Sequence, residues 1–174
     1  MPRIPTQEAI VTGTETNAAA AAAYYDDAAV SAFYRLCWGG SDIHIGRYDT
    51  GTETVAEASA AMTRHLLELS GVGKGDRVLD IACGMGEMLI EFHERHGSTG
   101  VGVDLSPFAL ARAKKRLAAR APDADLRFLC IDAADYEPEG AERFDVVMCG
   151  GASWIWKGFE GTLDALVELA KPGG

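Results

Sequence analysis

Cysteine is scarce in this sequence and poorly arranged for chemistry. Cys37, Cys83, Cys130 and Cys149 form no C-x-x-C pair and none of the spacings that a structural zinc site requires. No metal is expected, and the thiols are expected to be reduced, as in a cytoplasmic protein. Long hydrophobic runs are absent too. The opening MPRIPTQEAIVTGTET has no apolar core for a signal peptide, and no stretch approaches a membrane span, so no membrane partner is expected. Positive charge is in deficit: 16 Lys and Arg face 26 Asp and Glu, a formal charge of -10 that repels phosphate backbones and anionic lipid surfaces. That balance argues against nucleic acid as a partner. What is present is apolar material, 48% of 174 residues, enough for one domain with a real core.

Residues 1–16 are polar and lack periodicity, and are expected to form a flexible amino-terminal arm. Residues 17–53 read as a helical segment. The alanine run before Tyr24 and Tyr25 favours helix, and Asp26 or Asp27 suits the N-cap of a short helix through Leu36. Trp38 to Gly51 carries the glycines and aspartates of a structured loop. Residues 54–174 form the main domain. Thr54 and Glu57 fit a capping box, and Val55, Ala58, Met62, Leu66 and Leu69 recur at helical spacing, which predicts a helix laying that stripe against a sheet.

From Lys74 onward short apolar runs alternate with amphipathic stretches: RVLDIA, a helix through His96, GVGVD, a helix capped by Ser106 with Pro107 first, LRFLCI, FDVVMC, and a last helix near Glu160 to Ala170. This rhythm predicts an α/β, Rossmann-like fold, a parallel sheet with helices on both faces. Lys171-Pro172-Gly173-Gly174 reads as a turn into a fifth strand, so the fold is expected to be truncated after its fourth strand and helix, as a fragment of a longer chain in preference to a chain whose missing strands a partner supplies.

The chemistry concentrates in Val78-Leu79-Asp80-Ile81-Ala82-Cys83-Gly84-Met85-Gly86-Glu87, a strand running into glycines at a helix start. Gly84 and Gly86 allow close backbone approach to a ligand, and the helix amino terminus offers free N–H groups. A dinucleotide site would place a small residue where Leu89 stands. Asp80, a carboxylate at the strand end, suits an ammonium-bearing ligand and sits badly beside a pyrophosphate. Charge thus favours S-adenosyl-L-methionine (SAM) over a nicotinamide dinucleotide. Asp104, 18 residues beyond Gly86, is placed to accept ribose hydroxyls, and Asp132 with the Ala133 N–H can receive an adenine.

VLDIACGMG resembles the first SAM-binding motif of the class I methyltransferases, and GVDLS and CIDAAD resemble the next two. The resemblance implies cofactor contacts from Asp80, Ala82, Gly84, Gly86, Asp104, Leu105, Asp132, Ala133 and Cys149; Ala82 stands where many members carry glycine. Upstream, YYDDAAVSAFYRLCWGGSDIHIGRY is similar to the amino-terminal region of the glycine, sarcosine and dimethylglycine N-methyltransferase group. There this region caps the SAM pocket, which implies a lid role for residues 17–53 and cofactor contacts from Tyr25, Tyr34 and Trp38.

The expected activity is methyl transfer from SAM to a small-molecule acceptor, possible acceptors including an amine such as a glycine derivative. A SAM-binding domain without turnover is the first alternative and a nicotinamide-dependent oxidoreductase the second; oligomeric state is left open. Methyl transfer needs an aligned acceptor and excluded water more than acid or base catalysis. Aromatic faces on the lid suit a sulfonium or a methylated ammonium, although Tyr25, Tyr34 and Trp38 equally suit helix packing. His44 and Tyr25 are the acid–base candidates, with a structural histidine the competing reading for His44. His93 and His96 miss the H-E-x-x-H zinc spacing and are assigned to the solvated helix face. Cys83 and Cys149 read as buried small side chains, and Trp154 and Trp156 as lining an acceptor pocket or covering the sheet.

Overall fold

Valine-rich runs and amphipathic stretches fold as alternating strands and helices in the computed structural model, which describes residues 20, 23–38, 43–139, 143–150, 164 and 166–172. The elements are α1 (Ala28–Cys37), α2 (Val55–Ser70), β1 (Arg77–Ile81), α3 (Glu87–His96), β2 (Thr99–Asp104), α4 (Pro107–Arg120), β3 (Leu126–Cys130) and β4 (Val146–Cys149), with a 3-10 turn at Ala133–Asp135. The four strands pair in parallel in the order β3-β2-β1-β4. This is the expected Rossmann-like arrangement. Strand order reverses between β1 and β4, and open parallel sheets hold ligands at the carboxyl side of such a switch point. Register aligns Ile81 with Val103 and Cys149, and Asp104 with Cys130, so the strand ends form one rim.

Alternation along the strands splits the core in two. Val78, Leu126 and Phe128 join Leu89, Ile90 and Phe92 of α3 and Leu110 and Ala113 of α4, with Leu67 of α2, on one face. Leu79, Ile81, Val101 and Val103 meet Phe144 on the other, where Tyr136, Leu166 and Leu169 cover them. Both faces of the central strands β1 and β2 are removed from water, which stabilises the parallel pair, while β3 leaves Arg127, Leu129 and Cys130 exposed. Beyond β4 the chain returns: Phe144 bridges Ala170 in parallel, with Phe144 N–H donating to the Leu169 carbonyl at 3.0 Å.

The caps follow the sequence. Thr54 and Glu57 close a capping box on α2, and Ser106 caps α4 ahead of Pro107. Of the two candidate acids before α1, Asp27 is the cap, its side chain accepting from Ala29 and Val30 N–H. The face of α2 differs from expectation: Ala58, Ser59, Thr63 and Leu67 are buried, whereas Leu69 is 69% exposed. Thr63 is accommodated on that face by donating to the Ser59 carbonyl and meeting His44, whereas the buried Ser59 hydroxyl has no hydrogen-bond partner among the described residues. His93 and His96 are half-buried rather than on a solvated face, and His93 Nδ1 lies 2.8 Å from the Ser98 carbonyl. No helix among the described residues is long and apolar enough to cross a membrane. The expected arm at 1–16, Trp154 and Trp156 lie outside the described residues.

Candidate functional site at the carboxyl rim

Residues 82–86 carry the chain from β1 into α3 through a run of left-handed backbone: φ is 56° at Ala82, 53° at Gly84 and 73° at Gly86. Ala82 therefore holds a conformation that costs an L residue about 1–2 kcal/mol. The two glycines serve different ends. A Cβ at Gly84 would meet nothing within 4 Å, which leaves the loop open to a ligand there, whereas one at Gly86 would lie 2.5 Å from the Phe128 ring and 3.0 Å from Ala113. Gly86 thus lets β3 and α4 close onto the loop. Cys83 points inward; burial is the first cause that pushes its thiol pKa well up, and the loop is tied to β2 by Cys83 N–H on the Val103 carbonyl at 3.0 Å.

The acids gather at the same rim. Asp80, one residue before the end of β1, is 3% exposed, and burial followed by the nearby Asp104 carboxylate raises its pKa to about 8. Asp104 closes β2. Its Oδ2 accepts from Gly84 N–H at 2.8 Å and its Oδ1 from Ser106 N–H at 2.8 Å. Burial still raises its pKa, with those bonds and the one from Leu105 N–H opposing. A carboxylate has about four acceptor directions, so beyond these three N–H bonds Asp104 keeps capacity for a hydroxyl donor. Asp132 lies two residues past β3, and Ile131 N–H on the Asp104 carbonyl keeps that segment along the rim; Ala133 begins the 3-10 turn. Cys149 ends β4 beside Ile81 and is half-buried. Two adjoining acids in a poorly hydrated place repel one another when both are ionised, so a cation that neutralises them is favoured, and the open turn beside them admits one.

The aromatic segment reaches this rim beside Ser106, which follows β2. Tyr25 stacks on Tyr34 with ring centroids 6.1 Å apart, and Tyr34 meets Trp38 at 5.3 Å. Burial raises the Tyr25 pKa first, then the charges of Tyr24 and Asp104. His44 faces α2, with Nε2 2.9 Å from the Thr63 hydroxyl, while its carbonyl accepts the Trp38 indole N–H at 3.0 Å.

Sequence reasoning missed two parts of the site. Asp26, weighed there as a cap, accepts the Ser106 hydroxyl at 2.5 Å across 80 residues of chain. Arg116 donates to the Met85 carbonyl at 2.8 Å and pairs with the buried Glu87 at 3.2 Å; Arg120 joins Glu87 and Glu94. Arg112, Arg116 and Arg120 recur every four residues on α4, and with Glu87 and Glu94 on α3 that spacing was the available signal. Among the described residues no three His, Cys, Asp or Glu side chains cluster to hold a metal.

The family model described as "Methyltransferase domain" matches residues 78–174. The chain is similar to the uncharacterised protein YjhP of Escherichia coli, at 41% identity over 58% of this chain and 40% of that one. It is also similar to the dimethylglycine N-methyltransferase of Parasynechococcus marenigrum, at 42% identity over 42% of this chain and 28% of that protein. A crystal structure of a SAM-dependent methyltransferase from Thiobacillus denitrificans, in complex with S-adenosyl-L-homocysteine (SAH), superposes with a TM-score of 0.64 at 32% identity, covering 82% of this chain and 52% of that one. The chain thus spans about half or less of the proteins it matches.

Proposed function

Because the chain belongs to the methyltransferase-domain family and carries a class I, SAM-dependent fold, we propose that it binds SAM at the carboxyl rim and serves transfer of its methyl group to a small-molecule acceptor. The observation that carries this reading is the pairing of Asp80 and Asp104 around a glycine turn left open at Gly84. The residues present fit the donor: a cationic, ribose-bearing molecule needs carboxylates, hydroxyl acceptors and room for close backbone approach, and all three stand together. When bound, SAM supplies an electrophilic methyl group.

In this reading Asp80 holds the donor's ammonium group and Asp104 receives the ribose hydroxyls. Asp132 and the Ala133 N–H receive the adenine. Ala82, Gly84, Gly86 and Leu105 shape the floor, and Cys149 borders it from β4. Tyr25, Tyr34 and Trp38 cover the rim, keep water out and turn ring faces toward positive charge. His44, engaged with Thr63, anchors the returning loop to α2. The chain's contribution is alignment rather than proton transfer. An amine such as a glycine derivative is the acceptor we favour, on the likeness to the dimethylglycine N-methyltransferase and on the aromatic lid.

Calorimetric titration with SAM and SAH tests the donor reading. SAH present at 100 times its dissociation constant should stabilise the fold by about 2.7 kcal/mol. No heat and no thermal shift with either ligand would remove the assignment. Binding without methyl transfer to any small amine would confine the chain's role to holding the donor.

A further inference from the structure

Asp26 and Asp27 are adjacent acids with separate tasks. Asp27 Oδ1 accepts from Ala29 N–H at 2.7 Å and Val30 N–H at 3.1 Å, and so starts α1. Asp26 Oδ1 takes the hydrogen of the Ser106 hydroxyl at 2.5 Å. Ser106 is 2% exposed and fully committed: its Oγ accepts from Ala109 N–H at 3.0 Å as the α4 cap, and its own N–H donates to Asp104 Oδ1. Asp104 Oδ2 in turn holds Gly84 N–H. Lid, α4 cap, β2 acid and glycine turn are therefore joined by one unbroken chain of hydrogen bonds. No residue of α1 is fully buried and only Val30, Ser31, Ala32 and Tyr34 are half-buried, so apolar burial contributes little to where the lid sits.

We propose that Asp26 is a positioning residue, whose bond to Ser106 hangs Tyr25 and the aromatic cluster over Asp104 and the open turn at Gly84. The inference rests on the SAM reading for its functional consequence, though not for its geometry. Tyr25 immediately precedes Asp26, so loss of the tether frees its ring and the Tyr34 ring stacked on it.

The test compares wild type, Asp26→Ala and Asp26→Asn. Removing a charge-assisted bond by Asp26→Ala should weaken SAH about tenfold in calorimetry, whereas Asp26→Asn keeps an oxygen acceptor for Ser106 and should stay within about threefold of wild type. Asp26 is exposed and outside both core clusters, so thermal midpoints should hold within about 2 °C. Without any ligand, trypsin should cut after Arg35 several times faster in Asp26→Ala than in wild type. Unchanged cleavage, unchanged SAH affinity, an Asn variant as weak as the Ala variant, or a collapsed midpoint would each overturn the inference. Wild type that binds no SAH would sink the donor reading instead, and the cleavage comparison would still decide the tether.

Discussion

An aspartate with a pKa of about 8 is largely protonated at neutral pH, and Asp80 owes that value first to burial and then to Asp104. The unfolded chain ionises the same group near the ordinary value of roughly 4, so between roughly pH 4 and pH 8 the folded state binds the extra proton and stability falls as pH rises. Asp80→Asn should therefore stabilise the ligand-free fold by about 2–4 kcal/mol near pH 8, the gain fading toward pH 4, while abolishing SAH affinity. Urea unfolding across that range would show it, and equal stability of both proteins at pH 8 would refute the pKa argument. Ala82 offers a second test. Its φ of 56° is a glycine conformation, and Ala82→Gly should add about 0.5–1 kcal/mol in the same unfolding experiment. The motif made these positions visible in sequence; the left-handed backbone was not visible, since alanine gives no hint of positive φ.

α3 and α4 are bound by charge as well as by apolar packing. Glu87 is buried at the first turn of α3, where a carboxylate suits the helix dipole, and Arg116 and Arg120 answer it from α4. Removing one partner of such a group leaves desolvated charge behind, so Glu87→Ala should cost about 3–5 kcal/mol, read by chemical denaturation, and a loss below 1 kcal/mol would mean the cluster is solvated. Helices and strands were legible after residue 74 because their periods differ and their caps are explicit. The buried face of α2 was not. Its apolar stripe pointed to Leu69, whereas Ser59 and Thr63 are buried and Thr63 is held by the distant His44.

The formal charge of -10 surrounds a rim lined by two acids, of which Asp80 is largely neutral until a cation arrives. SAM carries one more positive charge than SAH, so its association rate should fall more steeply between about 0.05 and 0.5 M salt. Stopped-flow mixing would measure both, and identical salt dependence would remove electrostatic steering. The parallel sheet and the acids at its strand ends were legible from the alternation of elements, but the strand order and the docking of the aromatic segment were not, because Asp26 and Ser106 are 80 residues apart and no local pattern couples them. α4 is the member through which all of this passes. Its cap engages both Asp26 and Asp104, Ala113 closes on Gly86, and Arg116 grips the Met85 carbonyl. It acts as a keel: strain applied anywhere along this one rod is felt at both ends of the cradle, so heating should dismantle the cradle in a single step rather than plank by plank.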